Sequence, residues 1–234
     1  MTERRRRGPR RALTEEAILD AALELLDEGG ADAASIRTIA ARVGVAPNAV
    51  YTYFPSKAAV LRAVVERILG DIEHDVAADR ARPWRERVES LALHVRERVL
   101  AHPAALPLMV GGPLDGRNAL ALHEQLLDLM GDAGLPPSDA ARAAYLLVVY
   151  LFGAMALNVA QVPEPGPLPP EAERVAARRR RFAAVPTESF PRTAAAADTI
   201  ATYVTSEQFL WGLRRVLDGI SALAAHTATD GSPA

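Results

Sequence analysis

An amide, two phenols and a hydroxyl fall within six residues of this chain: Asn48, Tyr51, Thr52 and Tyr53. An asparagine side chain donates and accepts in one plane, as the major-groove edge of adenine requires. Ala49 and the methyl of Thr52 are small enough to touch a thymine methyl. Tyr51 and Tyr53 can reach phosphates through their hydroxyls. Ser35 and Arg37 stand at the first turn of a preceding helix, and Lys57 stands at the start of a following one. Backbone N–H groups at helix starts favour a phosphate. The chemistry offered is recognition of double-stranded DNA by hydrogen bonds, with Pro47 opening the reading segment.

Other chemistries lack their residues. The chain has no Cys, so no disulfide or thiolate site can form. The five His residues (74, 94, 102, 123 and 226) show no paired metal spacing. No Gly-x-Ser-x-Gly elbow, phosphate-binding glycine loop or Gly-x-Gly-x-x-Gly occurs. The expectation is therefore no cofactor, no metal and no catalytic site. An enzyme remains open only through an unrecognised constellation in the second half. Net charge is −2, so no global pull on a polyanion exists. Locally, residues 1–67 hold 11 Arg and Lys against 9 Asp and Glu. Six of those cations, Arg4–Arg7, Arg10 and Arg11, form one short arm that suits a local polyanion footprint. The arm can reach along the DNA backbone or into a minor groove, or it is a solubilising tail.

The elements that must position these groups read as helices. Half of the residues are apolar, enough for a sizeable core, and Ala and Leu dominate. Thr14 is a plausible N-cap. Ile18, Leu19, Ala22, Leu25 and Leu26 then recur at helical spacing until Gly29-Gly30. Ser35 caps a second, short helix with Ile36, Ile39, Ala40 and Val43 on one face. Pro47 begins a third helix that runs to about Phe54. Ser56 caps a long fourth, expected to reach about Ala78. Further helices are expected at about 83–101, 104–110, 117–132, 138–160 and 206–225.

Two helices crossing near a right angle need a small residue where their backbones meet and a left-handed residue in the turn. Ala40 and Gly44 fill these places. Ile36, Ile39, Val43, Val45, Val50 and Tyr53 supply the apolar contacts. The full set specifies a helix-turn-helix, whose second helix enters a major groove. The fold class read from the sequence is all-α. A basic flexible arm (1–12) leads to a helix-turn-helix domain (13–69). A long helix joins this to an all-helical ligand-binding and dimerisation domain (70–226), and a disordered tail follows (227–234). Within the second domain, 161–199 is rich in Pro and carries Arg178–Arg181. It reads as a mobile insertion with one short helix at 171–182. The Arg run suits an anion or a partner, or is a solvated helix face.

A signal peptide would need an apolar stretch after the arm, and Leu13-Thr14-Glu15-Glu16 follows instead. The stretch 140–160 approaches spanning length, but its flanks lack basic and aromatic anchors. A cytoplasmic protein with no membrane contact is expected.

Leu13–Leu19, Ser35–Ala40, Gly44–Phe54 and Lys57-x-x-x-Leu61 together resemble the N-terminal domain of TetR-family regulators. A weaker resemblance, to the C-terminal domain of the tetracycline-repressor branch, runs through Trp84-Arg85-Glu86-Arg87, His102-Pro103, Gly134-Leu135, Ala140 and Gly153. It ends in Phe209-x-x-Gly212-Leu213-x-x-x-Leu217-Asp218-Gly219-Ile220. The resemblance implies a homodimer formed by a four-helix bundle, with 138–160 and 206–225 as the dimer helices. It also implies a palindromic operator and one small ligand per subunit. The branch's metal-binding His position aligns with Met109, and its acidic helper with Leu157, so magnesium and tetracycline are not implied. A ligand-facing Gln is kept as Gln125. The effector expected is organic and largely apolar, held by Met109, Gln125, Leu129, Tyr145, Phe152 and Asn158, each of which also suits a plain core position. The function expected is a DNA-binding repressor released by that ligand. An activator or ligand-independent DNA-binding protein of the same fold is the alternative.

Overall fold

Thr14 opens the first helix. Its backbone is extended and its hydroxyl accepts from the Ala17 N–H, so it caps α1 (Glu15–Ala33). The helix is broken at Gly29-Gly30, where Gly30 has φ +73°. The structure, a computed structural model, describes residues 13–162 and 166–230, with side chains to 227. The basic arm expected at 1–12 lies outside the described residues.

Three helices follow in quick succession: α2 (Ile36–Val43), α3 (Pro47–Tyr51) and α4 (Lys57–Gly70). The α3 helix stops three residues before the expected Phe54. The Phe54 N–H still donates to the Val50 carbonyl at 3.0 Å, so the difference is one frayed turn. The α4 helix ends well before Ala78. Gly70 is a poor helix former, and the Asn118 amide lies 2.5 Å from where a Cβ there would sit. The chain turns at Asp71 and re-forms as the short α5 (Asp75–Ala78).

The second half continues with α6 (Trp84–Ala101), a 3-10 turn (Pro103–Ala105), α7 (Leu106–Gly111), α8 (Arg117–Asp132) and α9 (Pro137–Val159). After these come α10 (Glu171–Ala183), α11 (Pro191–Ala195), α12 (Ala197–Ala201), a 3-10 turn (Thr202–Val204) and α13 (Ser206–Asp230). No strand occurs among the described residues. One continuous buried cluster, from Ile18 to Ile220, joins the two halves.

The segment 161–199 holds more structure than one short helix. Its Arg178 side chain donates through Nε and Nη2 to the Ile200 carbonyl, at 3.2 and 3.1 Å, and binds the Gln161 amide. Arg174 donates to Asn158 of α9 at 2.7 Å. These bonds fasten α10 to α9 and α12. Sequence patterning misses them because α10 buries no apolar residue of its own. The same patterning misses the scaffold of the second half. Buried Arg87 on α6 donates to the Ala77 carbonyl at 2.8 Å and pairs with Asp132 of α8 at 2.5 Å.

Candidate DNA-binding and ligand sites

The α2–α3 unit is built from local rules. Ser35 and Thr38 form a reciprocal cap. The Thr38 N–H donates to the Ser35 hydroxyl at 3.2 Å, and the Ser35 N–H donates to the Thr38 hydroxyl at 2.9 Å. Ala40 is fully buried, where α2 meets its neighbours. Gly44 takes φ +77° and ψ 33°, which a β-branched side chain resists. The Val45 N–H then closes onto the Ala40 carbonyl at 2.9 Å. Ile36, Ile39 and Val50 are buried beneath this turn.

That frame presents its polar groups outward. Arg37, Pro47, Asn48, Tyr51 and Thr52 are exposed, and Ala49 is half-buried. Arg37, Asn48 and the Tyr51 hydroxyl have no polar partner among the described residues. The hydroxyl of Thr52 donates to the Ala49 carbonyl at 2.6 Å, which leaves its methyl as the free surface. Ser35 is occupied as a cap. Lys57 lies 3.9 Å from exposed Asp32, a loose pairing that an anion can displace.

Tyr53 departs from its expected core position. It is 43% exposed, and buried Phe54 takes the inward place. Its hydroxyl donates to the Leu13 carbonyl at 2.6 Å, tying the end of α3 to the start of α1. In the protein alone this bond commits the Tyr53 proton and positions α3. Arg42, also exposed, is held by Glu28 and Glu24 at 2.7 and 2.9 Å. Those carboxylates raise its pKa above the ordinary arginine value, the Glu28 hydrogen bond most of all.

The six expected ligand residues do not converge. Met109 and Leu129 are fully enclosed core. Tyr145 is 68% exposed on the outer face of α9. Phe152 lines an apolar cavity with Leu91, Leu126, Leu147 and Leu213, of only about 30 Å³. Pockets for drug-sized ligands are roughly ten times larger or more. The amide of Gln125 is satisfied by His74, through its oxygen at 2.5 Å from Nδ1 and its nitrogen donating to the His74 carbonyl at 3.3 Å. Asn158 is buried, bonded to the Ala154 carbonyl and to Arg174. Spacing shows that a residue lies on an inward face. It does not show whether the opposite wall stands off or closes in. Among the described residues, no group of three His, Asp or Glu side chains is placed to hold a metal.

A joint between the halves went unread in the sequence. The N-terminus of α8 has Gly116 as its N-cap, with no side-chain cap of its own. Glu66 of α4 supplies one instead. Its carboxylate accepts from the Asn118 and Ala119 N–H groups at 2.8 and 3.2 Å, and the Asn118 amide returns to the Glu66 carbonyl at 2.8 Å. A Cβ at Gly116 would collide with the Glu66 carboxylate, so a larger residue there would displace the cap from the start of α8. A second link joins His102, after α6, to Asp27 of α1 at 2.8 Å.

Comparison with known proteins now places this architecture. Residues 18–64 match the family model for bacterial regulatory proteins of the TetR family, and residues 78–224 match the model for the tetracyclin repressor-like C-terminal domain. The chain belongs to the TetR family. It is a DNA-binding transcriptional regulator with an N-terminal helix-turn-helix. The chain is 27% identical to the HTH-type transcriptional repressor DrrR1 of Streptomyces coeruleorubidus over 238 residues, covering 97% of this chain and 84% of that one. It is 29% identical over 144 residues to the class A tetracycline repressor from transposon 1721 in Escherichia coli, covering 61% of this chain and 66% of that one. A crystal structure described as a possible TetR family transcriptional regulator from Streptomyces coelicolor A3(2) superposes with a TM-score of 0.75 at 30% identity. That match covers 90% of this chain and all of the other.

Proposed function

We propose that this TetR-family regulator is a cytoplasmic homodimeric repressor, without catalytic activity, that reads a palindromic operator through α3 and is released by a small organic ligand. The observation that supports DNA reading most directly is the outward face of α2 and α3. Arg37, Asn48 and Tyr51 keep hydrogen-bonding groups free there, while neighbouring Arg42 is neutralised. Asn48 reads a base edge, with Ala49 and the Thr52 methyl beside it. Ser35, Pro47 and Tyr53 shape the turn around them, and Arg37, Tyr51 and Lys57 meet phosphates.

Dimerisation is supported by two stripes at i, i+4 spacing. On α9 the stripe is Tyr145, Val149, Gly153 and Leu157, and on α13 it is Trp211, Arg215, Gly219 and Leu223. All of these positions are exposed in the single chain. Gly153 and Gly219 have nothing within 4 Å of a Cβ built on them. A mid-helix glycine costs about 1 kcal/mol relative to alanine, and nothing inside the protomer calls for either one. A partner helix crossing at these points does. It would also explain why α9, long and apolar enough to cross a membrane, is only 33% buried within its most apolar stretch. Replacing Gly153 with Leu is expected to shift the protein to monomer in sedimentation analysis with its helical content kept. An unchanged dimer would refute this crossing.

Ligand release would act through the α4–α8 joint, since a shift of α8 drags the Glu66 cap and with it the DNA-reading unit. The cavity of about 30 Å³ must then widen to admit an effector. The same small volume supports the second reading, a ligand-independent DNA-binding protein of this fold. Effector titrations with and without operator separate the two. Coupling is reciprocal, so a releasing ligand must bind more weakly to the operator complex by the same factor. The DNA assignment is tested on operator and scrambled duplexes at fixed salt. Asn48→Ala is expected to lose about 1–3 kcal/mol of discrimination. Lys57→Ala should weaken both duplexes alike. A uniform loss for Asn48→Ala would remove its base-reading role.

A further inference from the structure

Between the C-terminal end of α9 and the inner side of α10 lies a groove of about 400 Å³, separate from the apolar cavity among α6, α8, α9 and α13. Four arginines line it, Arg174, Arg178, Arg180 and Arg181, against one acid, Glu173. Its remaining wall is largely apolar, with Val162, Pro169, Ala176 and Val204 among the lining residues.

The two inner arginines are held without a carboxylate. Arg174 donates to the Asn158 amide oxygen at 2.7 Å and to the Pro169 carbonyl at 3.1 Å. Arg178 donates to the Ile200 carbonyl and to the Gln161 amide oxygen. Every one of these acceptors is neutral. The charge of Glu171 reaches Arg174, but its oxygen is already bonded to the N–H and hydroxyl of Ser206 and lies 3.7 Å from Arg96. Three other partly buried arginines meet a carboxylate directly. Arg87 meets Asp132, Arg67 meets Asp20 and Arg85 meets Asp218. Burial disfavours the charged form of both groove arginines, and the charge of Arg181 presses further on Arg178. Desolvated charge of one sign, fixed in place but not neutralised, is relieved by a bound counter-charge.

We propose that this groove is a binding site for a small organic anion, a carboxylate or sulfonate with an apolar body, whose charged group sits between Arg178 and Arg181. The neutral anchors at Asn158, Gln161 and Ile200 pre-orient the guanidinium of Arg178, and the Val162 and Val204 side of the groove receives the apolar part. The site does not depend on ligand-triggered release from DNA, and its test uses no DNA.

The test is a fluorescence titration of the full chain with 8-anilinonaphthalene-1-sulfonate and with its uncharged counterpart N-phenyl-1-naphthylamine. The sulfonate is expected to saturate one site per protomer and to be displaced by octanoate but not by octan-1-ol. Arg178→Gln with Arg181→Gln should weaken the sulfonate at least tenfold and the uncharged dye less than twofold. Should that double variant fail to fold by circular dichroism, Arg180→Gln with Arg181→Gln decides, because it leaves both inner anchors in place. A loss of threefold or more for the sulfonate alone supports the site. No saturable sulfonate binding would overturn the proposal. So would unchanged affinity in the folded charge variant, or an equal loss for both dyes.

Discussion

The α2–α3 turn and the α9–α10 groove both leave hydrogen-bonding groups without a charged partner inside the chain, but they are made in opposite ways. In the turn, residues close in sequence do the work. Ser35 and Thr38 cap one helix, Ala40 lets the backbones meet, and Gly44 turns the chain four residues later. In the groove, Arg174 and Arg178 are placed by Asn158, Gln161 and Ile200, which lie 16 or more residues away. A site of the first kind survives wherever its short segment folds. A site of the second kind exists only when several helices have docked.

That contrast can be broken or sharpened by substitution. The largest effect is expected in the second half. A Cβ at Gly212 would lie 2.4 Å from the Tyr150 hydroxyl, which donates to the Phe209 carbonyl at 2.6 Å. Gly212→Val must push that ring aside and break its bond, costing about 2–3 kcal/mol in urea unfolding. A loss below about 0.5 kcal/mol would mean that docking of α13 on α9 tolerates slack, and the contrast would weaken. Gly44→Val comes next. Forcing a β-branched residue to φ +77° should cost about 2 kcal/mol and abolish operator binding, while leaving the proposed α9–α13 dimer intact. If DNA affinity survived, the turn would not be the local device described above. The smallest effect lies at the joint. Glu66→Ala removes the borrowed cap of α8, and about 1 kcal/mol of stability with it. It should reduce any coupling between effector and operator more than it reduces either affinity alone. Full coupling in this variant would move the link elsewhere, His102–Asp27 being the next candidate.

Legibility in the sequence followed the range of the interactions. Helix starts at Thr14, Ser35, Pro47 and Ser56 were readable because caps and breakers act within one turn. The helix expected at about 117–132 matches α8, between the breakers Gly111-Gly112-Pro113 and Gly134-Leu135-Pro136-Pro137. The end of α4 was not readable, because Gly70 yields there to Asn118, 48 residues on. Tyr53 and Phe54 alternate between inside and outside, and only the bond from Tyr53 to Leu13 shows which goes where. Gly153 and Gly219 did leave a signal, as glycines inside strongly helical runs. What they make room for is legible only when both stripes are seen to face outward.

The sequence by itself determined the all-helical class, the helix-turn-helix and the residues that can face DNA. Each of these rests on periodicity, capping and one left-handed glycine, which are short-range and nearly independent of context. Tertiary structure decided the rest. It closed the cavity beside Phe152 to about 30 Å³, enclosed Met109 and Leu129 in the core, and moved Tyr145 to the outer surface. It satisfied Gln125 with His74, borrowed Glu66 to cap α8, and gathered four arginines beside the end of α9. A cavity is the space left between elements that dock, and a counter-charge is missing only relative to what docking brings near. Neither quantity is local, so neither could be read along the chain.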